Sequence, residues 1–123
     1  MQRRTASTAL LLVLTLGLLA GCKTRTIWVA SRNGNARQVQ DLLAKDPTLI
    51  NAQDLNGWTP VLWATDHGHR KVVVMLLEKG ADPTVKASGG YTPLMSARQN
   101  GHKKIEELLV EDLAKRGAAP KRY

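Results

Sequence analysis

Two segments of the chain repeat one pattern of turn, aromatic and small residues. Residues 54–64 read DLNGWTPVLWA, and residues 87–97 read ASGGYTPLMSA. When Thr59 is aligned with Thr92, 33 positions later, Gly, an aromatic residue, Thr, Pro and a terminal Ala fall in the same register. Gly68 and Gly101 are separated by the same step. Self-similarity with a period of about 20–50 residues is typical of solenoids, in which each unit packs against its neighbours.

Each copy predicts two helices joined by a glycine. Thr59 and Thr92 are suited to cap a helix, and the Pro that follows each of them suits the first helical position. Gly68 and Gly101 are expected to end the first helix and to open the second. The Leu and Val residues that follow form a stripe on one helix face, which is expected to pack against the neighbouring units.

A weaker copy begins near Thr26, where Ala30 and Gly34 lie 34 positions before their counterparts Ala64 and Gly68. This period, with its Thr-Pro-Leu-like helix start, resembles the ankyrin repeat over roughly residues 26–116. The resemblance implies an all-α ankyrin-repeat solenoid of about three helix pairs with short projecting loops. The expected pairs are 26–32 with 36–44, 60–67 with 70–79, and 93–100 with 103–116, and the loops lie near 51–58 and 84–91.

The N-terminal segment has the pattern of an export signal. Arg3 and Arg4 precede the apolar run ALLLVLTLGLLA at residues 9–20. This N-terminal segment ends in the four residues Leu-Ala-Gly-Cys, the last of which is Cys22. This ending resembles the lipobox of bacterial lipoproteins. The resemblance implies cleavage before Cys22, a diacylglycerol on its sulfur and an acyl chain on its new amino group, with no other cofactor. A retained membrane helix is the alternative, although the uncharged stretch 5–22 is shorter than the usual span of about 20 residues.

These patterns divide the chain into four parts. We expect a lipoprotein signal peptide at 1–21, a lipidated tether at 22–25, an ankyrin-repeat domain at 26–117 and a disordered tail at 118–123. Because Lys23 rather than Asp follows the lipidated residue, the lipoprotein resemblance implies an outer-membrane location facing the periplasm. Two or more acyl chains are expected to anchor the protein stably to that membrane.

Composition limits the other functional classes. The formal net charge is +8, which favours acidic partners or surfaces, and nucleic acid is not expected in the inferred compartment. Cys22 is the only cysteine, so the chain cannot form an internal disulfide or a paired-thiol redox site. We expect no enzymatic activity, because no catalytic triad, phosphate loop or paired carboxylate is evident. His69 and His102 belong to the repeat pattern and are expected to bond loop backbone rather than a metal.

The ankyrin resemblance implies a concave binding surface made by loop tips and first helices. We expect Trp58 and Tyr91, at equivalent positions, to stand side by side as binding anchors. The alternative is that each ring folds onto the base of its own loop, and Trp63 and Trp28 are interpreted as packing residues. The residues implied at this surface are Arg32, Asn33, Leu55, Asn56, Trp58, Asp66, His67, Ser88, Gly89, Tyr91, Gln99 and Asn100.

A basic ridge is a second candidate surface. Arg70 and Lys71 open one second helix, and Lys103 and Lys104 open the next at equivalent positions. Cations at a helix N-terminus are mildly unfavourable, by about 0.3–1 kcal/mol, so their repetition indicates a purpose. That purpose would be an acidic partner or anionic head groups. Solvated side chains without a partner are the alternative.

The leading hypothesis is therefore a membrane-anchored interaction module that binds an unidentified periplasmic or envelope protein through its concave face. One alternative is an immunity or inhibitor protein that acts against an envelope-directed toxin. Another is a structural or stress-related envelope lipoprotein with no dedicated partner.

Overall fold

A computed structural model describes residues 27–117, which form six helices in three antiparallel pairs and contain no strand. The first pair is followed by a short 3-10 turn at Pro47–Asn51, and a second such turn, Ser88–Gly90, precedes the last pair. The helices are α1 (27–32), α2 (Ala36–Lys45), α3 (Pro60–Asp66), α4 (Arg70–Glu78), α5 (Pro93–Gln99) and α6 (Lys103–Lys115). The predicted helix pairs are confirmed to within one residue at each described end, as is the all-α solenoid.

The first helices of the second and third pairs begin as the sequence predicts. The hydroxyl oxygen of Thr59 accepts a hydrogen bond from the backbone N–H of Leu62 at 3.3 Å. The hydroxyl of Thr92 does the same for Met95, also at 3.3 Å. In each helix the following proline occupies the first position, where its missing N–H removes no helical hydrogen bond.

Two glycines between paired helices permit a close contact with the next repeat. Gly34 and Gly68 have φ values of +74° and +75°, which side-chain-bearing residues rarely adopt. A Cβ atom on either would collide with a histidine ring, that of His69 for Gly34 and that of His102 for Gly68. The turn and the contact between repeats therefore both require glycine.

The core runs along the stack between the two layers of helices. Helix α3 packs against α4 within its pair and against α5 of the next pair, while α4 packs between α2 and α6. The small residues Ala64 and Ala97 are completely buried, which lets paired helices approach closely. Val72, Val73 and Leu76 of α4 are also completely buried, and each contributes about 1.5–3 kcal/mol through burial of its side chain.

The outer face of α6 is polar. Lys115 pairs with Glu111 at 3.2 Å, and Arg116 pairs with Asp112 at 2.6 Å, each one helical turn apart. Arg116 also donates to the carbonyl oxygen of Ala81 at 3.0 Å, which ties the end of α6 to the preceding repeat. Exposed pairs of this kind stabilise a helix by about 0.2–0.5 kcal/mol each.

Several expectations fall outside the described residues. They are the signal peptide 1–21, the tether with Cys22 and Lys23, and the tail 118–123, and the division of the chain into these parts stays a prediction. Within residues 27–117, no helix is both long and apolar enough to cross a membrane.

Candidate functional site

Three aromatic side chains form a continuous row across the second and third repeats. Trp58 lies in the middle, with its ring centroid 4.5 Å from that of Trp63 and 5.8 Å from that of Tyr91. All three side chains are half-buried, so each has both a packed side and a side open to solvent. The expected neighbourhood of Trp58 and Tyr91 is therefore confirmed, and we call Trp63, Trp58 and Tyr91 the aromatic row.

Trp63 has a larger part in this surface than the sequence indicated. The sequence predicts that Trp63 packs in the interior, but its ring is half-buried and contacts the ring of Trp58. The guanidinium carbon of Arg32 lies 5.8 Å from its ring centroid, a distance at which cation–π attraction is effective. The ring of His67 lies 5.8 Å from it as well. Through Arg32, the contacts of the aromatic row thus reach the first repeat.

A single carboxylate bonds both the backbone of Trp58 and the indole of Trp63. One oxygen of Asp54 accepts hydrogen bonds from the backbone N–H groups of Asn56 and Trp58, both at 2.9 Å. Its other oxygen accepts from the indole Nε1–H of Trp63, also at 2.9 Å. The loop that carries Trp58 is therefore bonded directly to the helix that carries Trp63.

The third repeat holds Tyr91 in a similar way. The phenol of Tyr91 donates to Oε1 of Gln99 on α5 at 2.9 Å. The loop before it is linked to the loop of the second repeat, because the backbone N–H of Ser88 donates to the carbonyl oxygen of Asn56 at 2.9 Å. Both contacts limit the freedom of the ring before any partner binds.

Asp66 and Asn100 act largely within the stack. One carboxylate oxygen of Asp66 accepts from the hydroxyl of Ser96 and from the amide of Asn100, each at 2.9 Å. These bonds join α3 to α5. The sequence placed both residues at the binding surface, but their polar groups are already engaged between repeats.

The histidines of the repeat pattern bond to backbone, as expected. Nε2 of His69 lies 2.7 Å from the carbonyl oxygen of Arg32, and Nε2 of His102 lies 3.3 Å from that of Asp66. The His69 ring thus links the start of α4 to the end of α1, and the His102 ring links the start of α6 to the end of α3. Among residues 27–117, no group of three or more His, Cys, Asp or Glu side chains is arranged to hold a metal.

The remaining predicted residues lie at the surface. Leu55 is completely exposed at its loop tip, with a relative accessibility of 102%. Exposed side chains are also found at Asn33, Asn56, His67, Ser88 and Gln99, and at the ridge residues Arg70, Lys71, Lys103 and Lys104. Trp28, expected in the core, is half-buried and donates its indole N–H to the carbonyl oxygen of Ala52 at 2.9 Å.

Sequence reasoning missed Asp54, and it named Arg32 at the surface without indicating its contact with Trp63. Asp54 could have been found, because an Asp shortly before Gly57 in a turn commonly accepts backbone N–H groups. Arg32 was assigned to the surface, but its position over Trp63 depends on how the first two repeats stack. No local pattern encodes that distance.

The described residues also form an open depression away from the aromatic row. A depression of about 300 Å³ lies between α4 and α6 on the outer face, lined by apolar side chains such as Leu77 and Leu108 and by several carboxylates. The aromatic row is on the other layer, the one made by first helices and loops. Half-exposed, fixed aromatic rings can bury a large area against a partner with little loss of conformational freedom.

Comparison with known proteins identifies one family. A sequence profile of the family described as ankyrin repeats (3 copies) matches residues 8–87 and, in a second overlapping alignment, residues 27–120.

Curated relatives match over part of the chain only. The human NAD-capped RNA hydrolase NUDT12 is 34% identical over 56 residues, which are 46% of this chain and 12% of the relative. The human DNA-binding protein RFXANK is 41% identical over 54 residues, or 44% of this chain and 21% of the relative. The rat ankyrin repeat and SAM domain-containing protein 6 is 34% identical over 72 residues, or 58% of this chain and 8% of the relative. The chain thus spans no more than about a fifth of any of these three relatives.

Proposed function

Because the chain belongs to the ankyrin-repeat family, whose repeats are protein-interaction modules, we propose that it is a membrane-anchored module that binds a periplasmic or envelope protein. The partner would bind the concave face, where first helices and loops of successive repeats lie side by side. Binding, and not catalysis, would be its whole activity.

The aromatic row is the observation that carries this proposal. Trp and Tyr are the residues most often found as energetic anchors at protein interfaces, and here two indoles and a phenol are in contact across two repeats. Leu55 projects beyond them with no contact of its own, as a side chain available for burial against a partner.

The rings are also held ready for binding. Asp54 bonds the backbone N–H of Trp58 and the indole N–H of Trp63, and Gln99 bonds the phenol of Tyr91, so the loop and two of the three rings need little ordering when a partner arrives. Interfaces gain affinity when this ordering cost is small.

The anchoring part of the proposal depends on the sequence motif at Cys22. The cationic start, the apolar run and the small residues before the cysteine support cleavage and lipidation there. A lipidated Cys22 would hold the domain close to the membrane, because the expected tether extends only to residue 25. An outer-membrane location facing the periplasm is part of this proposal.

Capture of partners from the producing cells tests the binding surface. The wild-type chain is compared with the double variant Trp58→Ala/Tyr91→Ala and with a matched control, Leu77→Ala/Leu108→Ala, which removes two half-buried apolar side chains from the outer face. We expect the concave variant to lose the partner and the outer variant to retain it. Recovery of the same proteins with both variants would contradict binding at the aromatic row.

Mass spectrometry of the mature protein tests the anchor separately. We expect a chain that begins at Cys22 and carries a diacylglycerol and an acyl chain, and we expect Cys22→Ser to be released from the membrane fraction. A mature chain with residues 1–21 intact and Cys22 unmodified would contradict the anchor but leave the concave-face proposal standing.

A further inference from the structure

The second helices of all three repeats begin with cations on one edge of the stack. Arg37, Lys71 and Lys104 each occupy the second position of α2, α4 and α6, and Arg70 and Lys103 occupy the first position of α4 and α6. Because α4 packs directly against both α2 and α6, these positions form a line across the three repeats. We call these five residues the basic edge; Arg37 extends the ridge that the sequence indicated.

The charges of the basic edge are not balanced within the fold. All five side chains are exposed, and none takes part in the ion pairs found among residues 27–117. Of the neighbouring carboxylates, Asp66 bonds Ser96 and Asn100, and Glu106 pairs with Arg98. Asp41 and Glu107 lie one turn from Arg37 and Lys103 and form no ion pair with them, so five cations face two exposed carboxylates. The edge therefore presents positive charge to solvent.

Local stability does not account for this arrangement. A cation at the start of a helix faces the positive end of the helix dipole, which is unfavourable. Neither α4 nor α6 has a side-chain cap that would offset it. The Asn35 side chain caps α2, and the first-turn Glu106 of α6 is paired with Arg98. That three helices nevertheless carry a cation at the second position favours a partner outside the fold.

The backbone beneath the basic edge is firmly connected. His69 bonds the start of α4 to the first repeat, and His102 bonds the start of α6 to the second repeat. Gly34 and Gly68 leave room for these two histidine rings. The side chains of Arg70, Lys103 and Lys104 surround one shallow depression of about 380 Å³. The cationic side chains are flexible, but the helix starts that carry them are held at a fixed distance from one another by these contacts between repeats.

The basic edge lacks the features of a protein interface or a base-stacking surface. The four described aromatic residues, Trp28, Trp58, Trp63 and Tyr91, lie in first helices or loops. The exposed large apolar residues, Val29, Leu55 and Met95, are also elsewhere. Protein interfaces have an apolar or aromatic centre and are depleted in Lys, and single-stranded nucleic acid is bound by stacking on aromatic rings.

We propose that the basic edge binds the surface of an anionic phospholipid membrane. Lipid phosphates are mobile and present no fixed geometry, so they match long, unpaired Lys and Arg side chains that are not held in one conformation. Each such cation near an anionic surface strengthens binding by about fivefold.

The proposed membrane contact leaves the aromatic row free. Trp58 immediately precedes the start of α3, whereas the basic edge begins after α3 has ended, at the other end of the helix. A helix of this length spans about 10 Å. The inference does not require lipidation of Cys22 or a concave-face partner, and it adds a second, electrostatic membrane contact.

Vesicle sedimentation tests the proposal on the full chain carrying Cys22→Ser, so that no acyl chain can attach. One variant neutralises the edge with Arg37→Gln, Lys71→Gln and Lys104→Gln. A matched control makes Lys45→Gln, Lys79→Gln and Lys86→Gln, which removes the same charge from exposed cations at the far ends of α2 and α4 and in a loop. Vesicles of phosphatidylglycerol and phosphatidylcholine in equal parts are compared with vesicles of phosphatidylcholine alone.

We expect the edge variant to lose at least about tenfold in binding to the anionic vesicles, while the control stays close to the Cys22→Ser parent. Binding should weaken as salt is raised, and any adsorption to neutral vesicles should be equal for all three proteins. Equal loss in both variants, with helical circular dichroism retained, would overturn the proposal. So would edge-dependent binding to a short DNA duplex or to polyaspartate without edge-dependent binding to vesicles, because the edge would then serve a different polyanion.

Discussion

The ring centroids of Trp58 and Trp63 lie 4.5 Å apart, and the carboxylate of Asp54 bonds the backbone N–H of the first and the indole N–H of the second. Trp58 belongs to the loop and Trp63 to α3, so this contact makes the loop and the helix one unit. The proposed binding surface is therefore also a local element of stability.

The first prediction concerns Asp54. Replacing it with Ala leaves two backbone N–H groups and one indole N–H without their acceptor, and hydrogen bonds to a charged group are worth about 1.5–3 kcal/mol. We expect Asp54→Ala to lower the free energy of unfolding by about 2 kcal/mol or more in urea titrations. The control Asp41→Ala changes an exposed carboxylate of α2 and should cost under about 0.5 kcal/mol. Similar losses for the two variants would show that Asp54 does not hold the loop.

The second prediction compares two glycines at equivalent positions. Gly101 has φ +71° and a methyl group added there would meet open space, so Gly101→Ala should cost about 1–2 kcal/mol from backbone strain alone. Gly68 has nearly the same φ, but a Cβ there would lie 2.8 Å from the His102 ring. We expect Gly68→Ala to cost about 1–3 kcal/mol more than Gly101→Ala, measured by urea unfolding. Equal losses would contradict the close packing between repeats.

Much of the fold follows from the sequence for local physical reasons. The 33-residue period, the Thr caps and the glycines fix where helices begin and end, and these boundaries are confirmed. The neighbourhood of Trp58 and Tyr91 also follows, because equivalent positions in stacked repeats lie side by side.

The parts that sequence reasoning missed depend on three-dimensional packing. Trp63 occupies the position of Ser96 in the next repeat, and nothing local shows that its larger ring reaches the surface beneath Trp58. The engagement of Asp66 by Ser96 and Asn100 is set by the spacing of α3 and α5. Such contacts between repeats, at long sequence separation, are not encoded in a one-repeat pattern.

The third prediction concerns the pKa of Asp82. Its carboxylate accepts from the hydroxyl of Thr84 at 2.6 Å and from the backbone N–H of the same residue at 2.8 Å. The hydroxyl bond first, and then the backbone bond, lower the pKa of Asp82 below its usual 3.8; burial opposes them, and the charge of Arg116 adds the smallest lowering effect. We expect Thr84→Val to raise that pKa in a carboxyl NMR titration. The control Thr48→Val, in the equivalent turn at Asp46, should leave the Asp82 pKa unchanged.

The sign of the pH effect follows from this lowered pKa. The stabilisation from Asp82 is fully present above the unfolded-state value near 3.8 and is lost as the pH falls through the lower folded-state pKa. The difference in unfolding free energy between wild type and Thr84→Val should therefore be largest above pH 3.8 and shrink on acidification. An Asp82 titration identical in the two proteins would contradict the role of the Thr84 hydroxyl.

The fourth prediction concerns Leu55, which is completely exposed and packs against nothing. Leu55→Glu should change the free energy of unfolding by under about 0.5 kcal/mol, because the side chain lies in solvent. If a partner covers the loop tip, the buried charge should weaken binding by at least about tenfold. Isothermal titration with the captured partner measures this effect. If Leu55→Glu binds the captured partner as tightly as the wild type does, the partner does not cover this loop tip.

Site-specific photocrosslinking in the producing cells shows which face of the stack the partner contacts. A photoreactive residue is placed at Leu55 or Asn56, beside the aromatic row, and at Glu107 or Glu111 on the outer face of α6. We expect one protein adduct from the first two positions, lost when Trp58→Ala is added, and no such adduct from the outer positions. The same adduct from all four positions, or an adduct that persists without Trp58, would contradict recognition by the concave aromatic row.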